Sequence, residues 1–435
     1  MKNEGKDTKK EPLSAVKNPE ETALRWHSLY KGKIEIGLKA SVQSYDDFAI
    51  WYTPGVAEPC REIKNSREQV YEYTNKGNFV AIVTDGTRVL GLGDVGAEAA
   101  LPVMEGKAML FKYLGGVDAF PICLATKDAD EIIEAVKWIA PTFGGVNLED
   151  IESPKCYYIL ERLNEELNMP VWHDDQQGTA LVILAGLMNA LKVVGKSLSE
   201  IEISLIGAGA ANMSIAKYMH VAGVKWKNLI MVDSKGILNS DREDVKGDKN
   251  KWEICEKTNK EGRSGGIKEA MRDTDVCIAL STPGPGIIKK DWVADMADDA
   301  IVFACANPVP EIWPWEAEEG GAKIVATGRS DFRNQLNNSL GFPAVFRGAL
   351  DVRATCITEE MCIAAANAIA RYAEEKGISE GYIIPRMGEG EMYVCEAVAV
   401  GIKAVEQGVA ERKMSVEELE EEAREKIFGK TAKTF

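Results

Sequence analysis

Short apolar runs alternate with helix-period patterns over most of the chain, as α/β architecture requires. Residues 79–83 and 119–124 read as buried strands, with a helix between them over about 97–114. A second helix starts in the aspartate-rich stretch 127–131 and reaches Ala140. Thr179 reads as the N-cap of an apolar helix that ends near Gly195. A new unit then begins: a strand over 201–206, a helix over 210–222, and a strand over 229–232 that ends in Asp233. The pattern predicts a first α/β domain followed by a doubly wound parallel sheet of Rossmann type. The boundary falls within the long apolar helix or just after it. The expected divisions are a mobile tail (1–22), a first domain (23–190), a second domain (191–410) and an acidic C-terminal helix and tail (411–435). The polar stretch 239–266 reads as a surface excursion, and no internal repeat is evident.

At 435 residues, two domains are the natural expectation. A net charge of −16 argues against nucleic-acid binding, which needs clustered Lys and Arg. The densest acidic run, Glu417 to Glu425, follows a Ser415-x-x-Glu418 capping box and reads as a solvated helix face. Nine cysteines without C-x-x-C spacing predict reduced thiols and a cytoplasmic setting. The stretch 180–194 is interrupted by Asn189 and Lys192 and reads as a buried helix, so no membrane partner is expected. The Lys- and Glu-rich N-terminus lacks the apolar core of a signal peptide.

Two glycine loops compete for a dinucleotide. Gly91-x-Gly93-x-x-Gly96 fits G-x-G-x-x-G fully, whereas Gly207-x-Gly209-x-x-Asn212 misses its last position. Context favours the second. It follows a clean apolar strand, opens a helix free of proline, and is followed by a strand whose terminal Asp233 lies 26 residues beyond Gly207. Asn212 stands where a small residue normally lets helix and strand approach, which predicts looser packing. The first loop precedes a helix containing Pro102 and sits beside Asp85, Arg88 and Asp94, so it reads as a tight turn carrying substrate-binding residues. A glycine turn with no ligand is the plain alternative for either loop.

Candidate chemistry begins with adjacent acids. His173-Asp174-Asp175-Gln176-Gln177-Gly178-Thr179 sets a carboxylate pair before an apolar helix, and Glu149-Asp150 supplies another pair 26 residues before Asp175. Such crowding is unfavourable unless a cation offsets it. Glu149, Asp150 and Asp175 offer hard oxygen ligands suited to Mg²⁺ or Mn²⁺. The alternative for Glu149-Asp150 is an ordinary helix N-terminus. Three histidines make a His-based zinc site improbable. Tyr52-Thr53-Pro54-Gly55 is a rigid turn, either presenting a phenol at a fixed angle or simply turning the chain. Lys107, within an apolar stretch, either snorkels to water or is desolvated so that its pKa falls.

With these residues in view, the chain resembles malic enzymes of the smaller prokaryotic type, over about residues 24–409. The resemblance rests on YTPGVAEPC (52–60), VTDGTRVLGLGDVG (83–96), HDDQQGTA (173–180), GAGAAN (207–212), ANPVPE (306–311) and NNSLGFPAVFRGALD (337–351). It implies an N-terminal malate- and metal-binding domain and an NAD(P)-binding domain. The implied activity is metal-dependent oxidative decarboxylation of L-malate to pyruvate and CO₂. By the same carry-over, Glu149, Asp150 and Asp175 bind the metal, Tyr52 is the general acid and Lys107 the general base, with Asp174 holding the lysine in its working state. Arg88 grips a substrate carboxylate, and Asn307, Asn337 and Asn338 are substrate amides. Gly207, Gly209, Ala210, Ala211 and Asn212 form the cofactor loop, Asp233 is the ribose acid, and Thr179, Ser281 and Thr282 lie nearby. A homodimer or dimer of dimers is also implied.

Malolactic conversion with a retained cofactor, or a catalytically silent binding protein, are the competing functions. Asp233 favours NAD over NADP, because a carboxylate repels a 2′-phosphate. Lys235, two residues on, offsets that charge. Three departures from the family stand out: Asn212, Arg333 in place of a frequent proline, and residues 382–387 in place of a proline–phenylalanine run.

Overall fold

Two parallel sheets organise the chain, which a computed structural model describes from residue 19 to residue 429. The expected tail therefore lies outside the described residues up to position 18, and the segment Pro19–Tyr30 is helical. The strands are β1 (Phe79–Thr84), β2 (Asp118–Cys123), β3 (Gly145–Leu148), β4 (Val171–His173), β5 (Ile203–Ile206), β6 (Leu229–Asp233), β7 (Gly236–Ile237), β8 (Val276–Ala279), β9 (Ile301–Ala304) and β10 (Ile324–Thr327). The helices of ten or more residues are α1 (Pro19–Tyr30), α2 (Ala97–Gly115), α3 (Ala129–Ile139), α4 (Lys155–Glu166), α5 (Thr179–Val194), α6 (Ala210–Val221), α7 (Phe342–Asp351), α8 (Glu359–Lys376), α9 (Gly390–Gln407) and α10 (Val416–Phe428).

The first sheet has the order β2-β1-β3-β4, all parallel. β1, β3 and β4 are buried on both faces and read as continuous apolar runs, whereas the edge strand β2 is only partly buried. Val80, Ile82 and Trp172 face α2 and α7, whereas Ala81, Val83, Val146 and Leu148 face α3 and α4. The second sheet has the order β10-β9-β8-β5-β6-β7, parallel except for the short β7. That is the dinucleotide-binding strand order, with its direction of winding reversing between β5 and β8.

Helix α5 joins the two sheets. Its buried positions are apolar except for Asn189, because it contributes to a core cluster that runs without a break from β1 to α10. Its one buried amide, Asn189, donates to the carbonyls of Ala370 and Ile383 at 2.9 and 3.0 Å. By length and composition the helical stretch Asp174–Val194 could cross a membrane, but 67% of that window is buried inside the protein. Gly195 ends the helix in the left-handed conformation, as expected, whereas Thr179 is not its cap. One π-helical turn over Asp174–Gly178 runs straight into α5, so Thr179 already lies inside the helix.

The chain then returns to its beginning. Phe342 and Phe346 of α7 pack edge-on against Phe111 of α2, at 4.6 and 5.3 Å between ring centroids. Fully buried Arg347 forks onto Asp351 at 2.9 and 2.5 Å and donates to Asn78 Oδ1 at 2.6 Å. Lys426 of α10 reaches the same Asp351 at 2.6 Å. The expected solvated face of α10 is present, behind the Ser415–Glu418 capping box, with Leu419, Ala423 and Ile427 turned inward. Removing one partner of a buried ion pair strands the other. Asp351→Asn is therefore expected to cost about 3–5 kcal/mol in unfolding free energy, and a loss under about 1 kcal/mol in urea titration would contradict this account.

Candidate active site

Parallel pairing explains why acids far apart in sequence meet. In the β3–β4 register Leu148 lies beside His173, so Glu149 and Asp174 leave the sheet side by side, followed by Asp150 and Asp175. They sit beyond the carboxyl ends of the strands, where open α/β sheets bind ligands. Asp150 takes a left-handed backbone conformation (φ 52°). The amide of Arg88 donates to its carbonyl at 3.0 Å, and its own amide donates to Asp175 Oδ2 at 2.9 Å. The helix-terminus alternative for this pair thus gives way to a strand end.

Lys107 enters from α2. Its ammonium lies 2.5 Å from Asp174 Oδ2 and 2.8 Å from Glu149 Oε1, and 4.2 Å from the centre of the Phe342 ring. Neither alternative drawn from sequence describes it: the side chain is buried rather than snorkelling, and its pKa is raised rather than lowered. Burial pulls the pKa down, but the carboxylates of Asp174 and Glu149 outweigh it. Asp174 is itself held on both sides. Its Oδ1 accepts the indole N–H of Trp172 at 3.0 Å, and it packs against Gly178, where an added Cβ would lie 2.0 Å from that oxygen. Glu149 Oε2 accepts from Asn147 at 2.8 Å.

Glu149, Asp150 and Asp175 offer oxygen atoms within 4.8 Å of one another. Burial first, and then Asp175, push the Asp150 carboxyl up to about 8; burial likewise raises Glu149 despite Lys107. Were Glu149, Asp150, Asp174 and Asp175 all ionised, the one ammonium would leave three negative charges uncompensated, and a divalent cation would offset two of them. Asp150 Oδ2 and both ring nitrogens of His173 are buried without hydrogen-bond partners, and His173 Nδ1 lies 3.7 Å from Asp175. Burial lowers the His173 pKa and favours the neutral ring. The donor set therefore fits a hard divalent ion, and among the described residues it is the only such acidic group.

The other expected site residues divide. Asn338 lies against Gly178, close to Asp174, and Asn337 donates to the carbonyl of Gly328 at 3.5 Å. Gly328 in turn packs on the amide of Asn307. The first glycine loop closes this side, because Gly91 abuts Pro283, the carbonyl of Asn307 and Pro308 from the second lobe. Arg88 is exposed, with no side-chain hydrogen bond or ion pair among the described residues. Tyr52 is not drawn into the cluster: it is 71% exposed and has no side-chain partner among the described residues.

At the second loop, Gly207 has φ 103°, and a Cβ there would meet the Leu280 carbonyl at 2.5 Å, so only glycine lets β5 and β8 approach. Helix α6 starts at Ala210 and Ala211 after Gly209 without a side-chain cap, leaving its first amides available to a phosphate. Asn212 does not loosen the packing. It is buried, and its amide donates to the carbonyls of Ile206 and Gly207 at 2.9 and 2.8 Å, tying helix to strand. Thr282 is exposed, whereas Ser281 gives both its N–H and hydroxyl to buried Glu311, at 2.7 and 3.1 Å. Glu311 also accepts from the Ala306 amide at 3.1 Å, fastening the 281 and 306 loops together.

Trp172 and Glu311 were not among the expected site residues. Each carried a signal: a buried indole needs an acceptor, and a lone acid in an apolar, proline-rich run needs donors.

A dinucleotide-type sheet facing a buried lysine–carboxylate cluster defines the class, a nicotinamide-dependent oxidoreductase. The malic enzyme N-terminal domain matches residues 31–164 and the malic enzyme NAD binding domain matches residues 176–406. A bifunctional malic/malolactic enzyme of Bacillus subtilis is 52% identical over 404 residues, covering 93% of this chain and 97% of that protein. An NAD-dependent malic enzyme of Geobacillus stearothermophilus is 50% identical, covering 88% and 78%. The crystal structure of a malic enzyme from Pyrococcus horikoshii superposes with a TM-score of 0.88 at 53% identity, over 94% of this chain and 95% of that one. The chain belongs to the malic enzyme family.

Losing the indole donor should leave Asp174 Oδ1 buried and unpaired. Trp172→Phe is expected to lower kcat about tenfold with little change in the KM for malate, by the cost of one unsatisfied buried acceptor. An unchanged kcat in steady-state kinetics would remove Trp172 from the site.

Proposed function

We propose that the protein catalyses metal-dependent oxidative decarboxylation of L-malate to pyruvate and CO₂ with reduction of NAD(P). The observation that carries this reading is Lys107 wedged between Asp174 and Glu149, directly beside the Glu149–Asp150–Asp175 cluster. Arg88 grips a carboxylate of malate as a guanidinium fork. Lys107 receives the proton of the C2 hydroxyl once its own proton has passed to Asp174, which Trp172 holds in line. Asn307, Asn337 and Asn338 orient the substrate, and the backbone amides at the start of α6 take the pyrophosphate of the nucleotide. After CO₂ departs, Tyr52 returns a proton to carbon. When bound, a divalent cation on Glu149, Asp150 and Asp175 supplies Lewis-acid polarisation of the substrate oxygen, and the nicotinamide supplies the hydride acceptor.

Malate, Mn²⁺ and NAD or NADP should therefore yield reduced cofactor and pyruvate in equal amounts. Lactate without net reduction would favour malolactic conversion instead, the second reading suggested by the name of the Bacillus subtilis relative. EDTA should abolish turnover and Mn²⁺ restore it. Lys107→Ala is expected to cut kcat by about 10²–10⁴-fold, the usual worth of a positioned base. Asp174→Asn and Asp175→Asn should fail differently, only the second weakening Mn²⁺ binding sharply. Equal Mn²⁺ affinity in the two variants would undo that division of roles.

The protein acts as a homodimer in the cytoplasm. From residue 19 through residue 79 no side chain is buried, although Leu24, Leu29, Tyr30, Ile36, Leu38 and Trp51 are all present there and exposed. Apolar surface on that scale is typical of an association face, and a second copy covering it would also shelter Tyr52. All nine cysteines are free, in keeping with a reducing compartment. Light scattering on the purified protein should give a dimer or a multiple of it, and a monomer at micromolar concentration would refute this assignment.

A further inference from the structure

The acid at the tip of β6 is not a free carboxylate. Asp233 is only 8% exposed, and both of its oxygens are taken by Arg242, at 3.1 Å to Oδ1 and 3.0 Å to Oδ2. The amide of Lys235 donates to Oδ1 at 2.9 Å, and the Lys251 ammonium stands 3.8 Å from Oδ2. Arg242 comes from the polar excursion between β7 and β8, and all five of its N–H groups are committed. Besides the two bonds to Asp233, Nε and Nη2 donate to Asp244 at 2.7 and 3.2 Å, and Nη1 donates to the carbonyl of Gly236 at 3.2 Å. Lys235 pairs with the same Asp244 at 2.9 Å. Three cations thus surround two acids at the place where a dinucleotide fold meets the adenosine ribose.

We propose that Arg242 neutralises Asp233 and, with Lys235 and Lys251, lets this chain take both NAD and NADP. The proposal rests on Gly207–Asn212 being the nucleotide loop of the malic-enzyme reading. An acid at this position selects NAD in two ways: it accepts hydrogen bonds from ribose hydroxyls, and it repels a 2′-phosphate. The guanidinium clamp separates those effects. Oδ2 accepts a single hydrogen bond and keeps a lone pair for a ribose hydroxyl, whereas Oδ1 already accepts two. The negative charge that would exclude a phosphate is offset at contact distance. The remaining positive charge rests on Lys235 and Lys251, whose flexible stems can turn their ammonium groups toward a phosphate, whereas Arg242 is pinned.

Calorimetric titration of the full-length protein with NAD⁺ and with NADP⁺, without malate, tests this by binding alone. The two dissociation constants are expected within about 30-fold of each other, less than an uncompensated acid would impose. Arg242→Met should weaken NADP⁺ at least about tenfold more than NAD⁺, the effect of about 1.4 kcal/mol of lost charge compensation. Lys251→Met, at a part-exposed position that the fold does not depend on, should weaken NADP⁺ at least about threefold more than NAD⁺. Wild-type discrimination beyond about 30-fold in either direction, or equal weakening of both nucleotides by the Lys251 variant, overturns the proposal. Failure to bind either nucleotide would defeat the loop assignment itself. Binding of both without malate-dependent reduction would defeat only the malic-enzyme reading.

Discussion

A lysine buried between two carboxylates, Asp174 and Glu149, is the constraint around which the first lobe is arranged. Such a group is tolerable only if every charge has a fixed partner, since desolvation otherwise outweighs attraction. The surroundings meet that demand piece by piece. The β3–β4 register delivers the acids in pairs, Trp172 and Asn147 satisfy their outer oxygens, and the Phe342 ring faces the ammonium. What the chain does not itself balance is the excess negative charge of Glu149, Asp150 and Asp175. The site is therefore built to be completed from outside.

The same economy governs the join between lobes. Helix α5 starts in the π turn that carries Asp174 and Asp175 and ends beneath the second sheet, so one rigid element links the charged cluster to the dinucleotide lobe. On the open side, Gly91 against Asn307 and Pro308 sets the two lobes in contact. Glu311 then locks the 281 and 306 loops together.

Much of this was legible in the sequence. Periodicity located β5, α6 and β6 to within a residue or two, because a parallel strand buried on both faces leaves an unbroken apolar run. The choice of Gly207–Asn212 over Gly91–Gly96 followed from the elements around each loop, not from the loops themselves. What escaped depends on pairing at long range. The raised pKa of Lys107 comes from Asp174, 67 residues away, and no local pattern could decide it against desolvation. Asn212 was expected to loosen the loop, yet its amide closes on the strand carbonyls, a reminder that a polar side chain can pack tightly when its donors are met. Thr179 looked like a cap because a π turn has no simple periodic signature. Arg242 lies in a stretch that reads as mere surface until the fold brings it to Asp233.

The knot of Asn78, Arg347, Asp351 and Lys426 has a consequence for how the protein is made. One face of the first sheet is roofed by α2 and α7, and α10 packs behind them, so the earliest strands to leave the ribosome lack part of their cover until nearly the last residues appear. At roughly 5–20 residues per second, that interval lasts some tens of seconds. Throughout it the face carrying Val80, Ile82 and Trp172 has only α2 for cover, while the dinucleotide lobe, whose strands are contiguous in sequence, has most of its own sheet in hand. The lobe made first is thus the one whose cover is completed last.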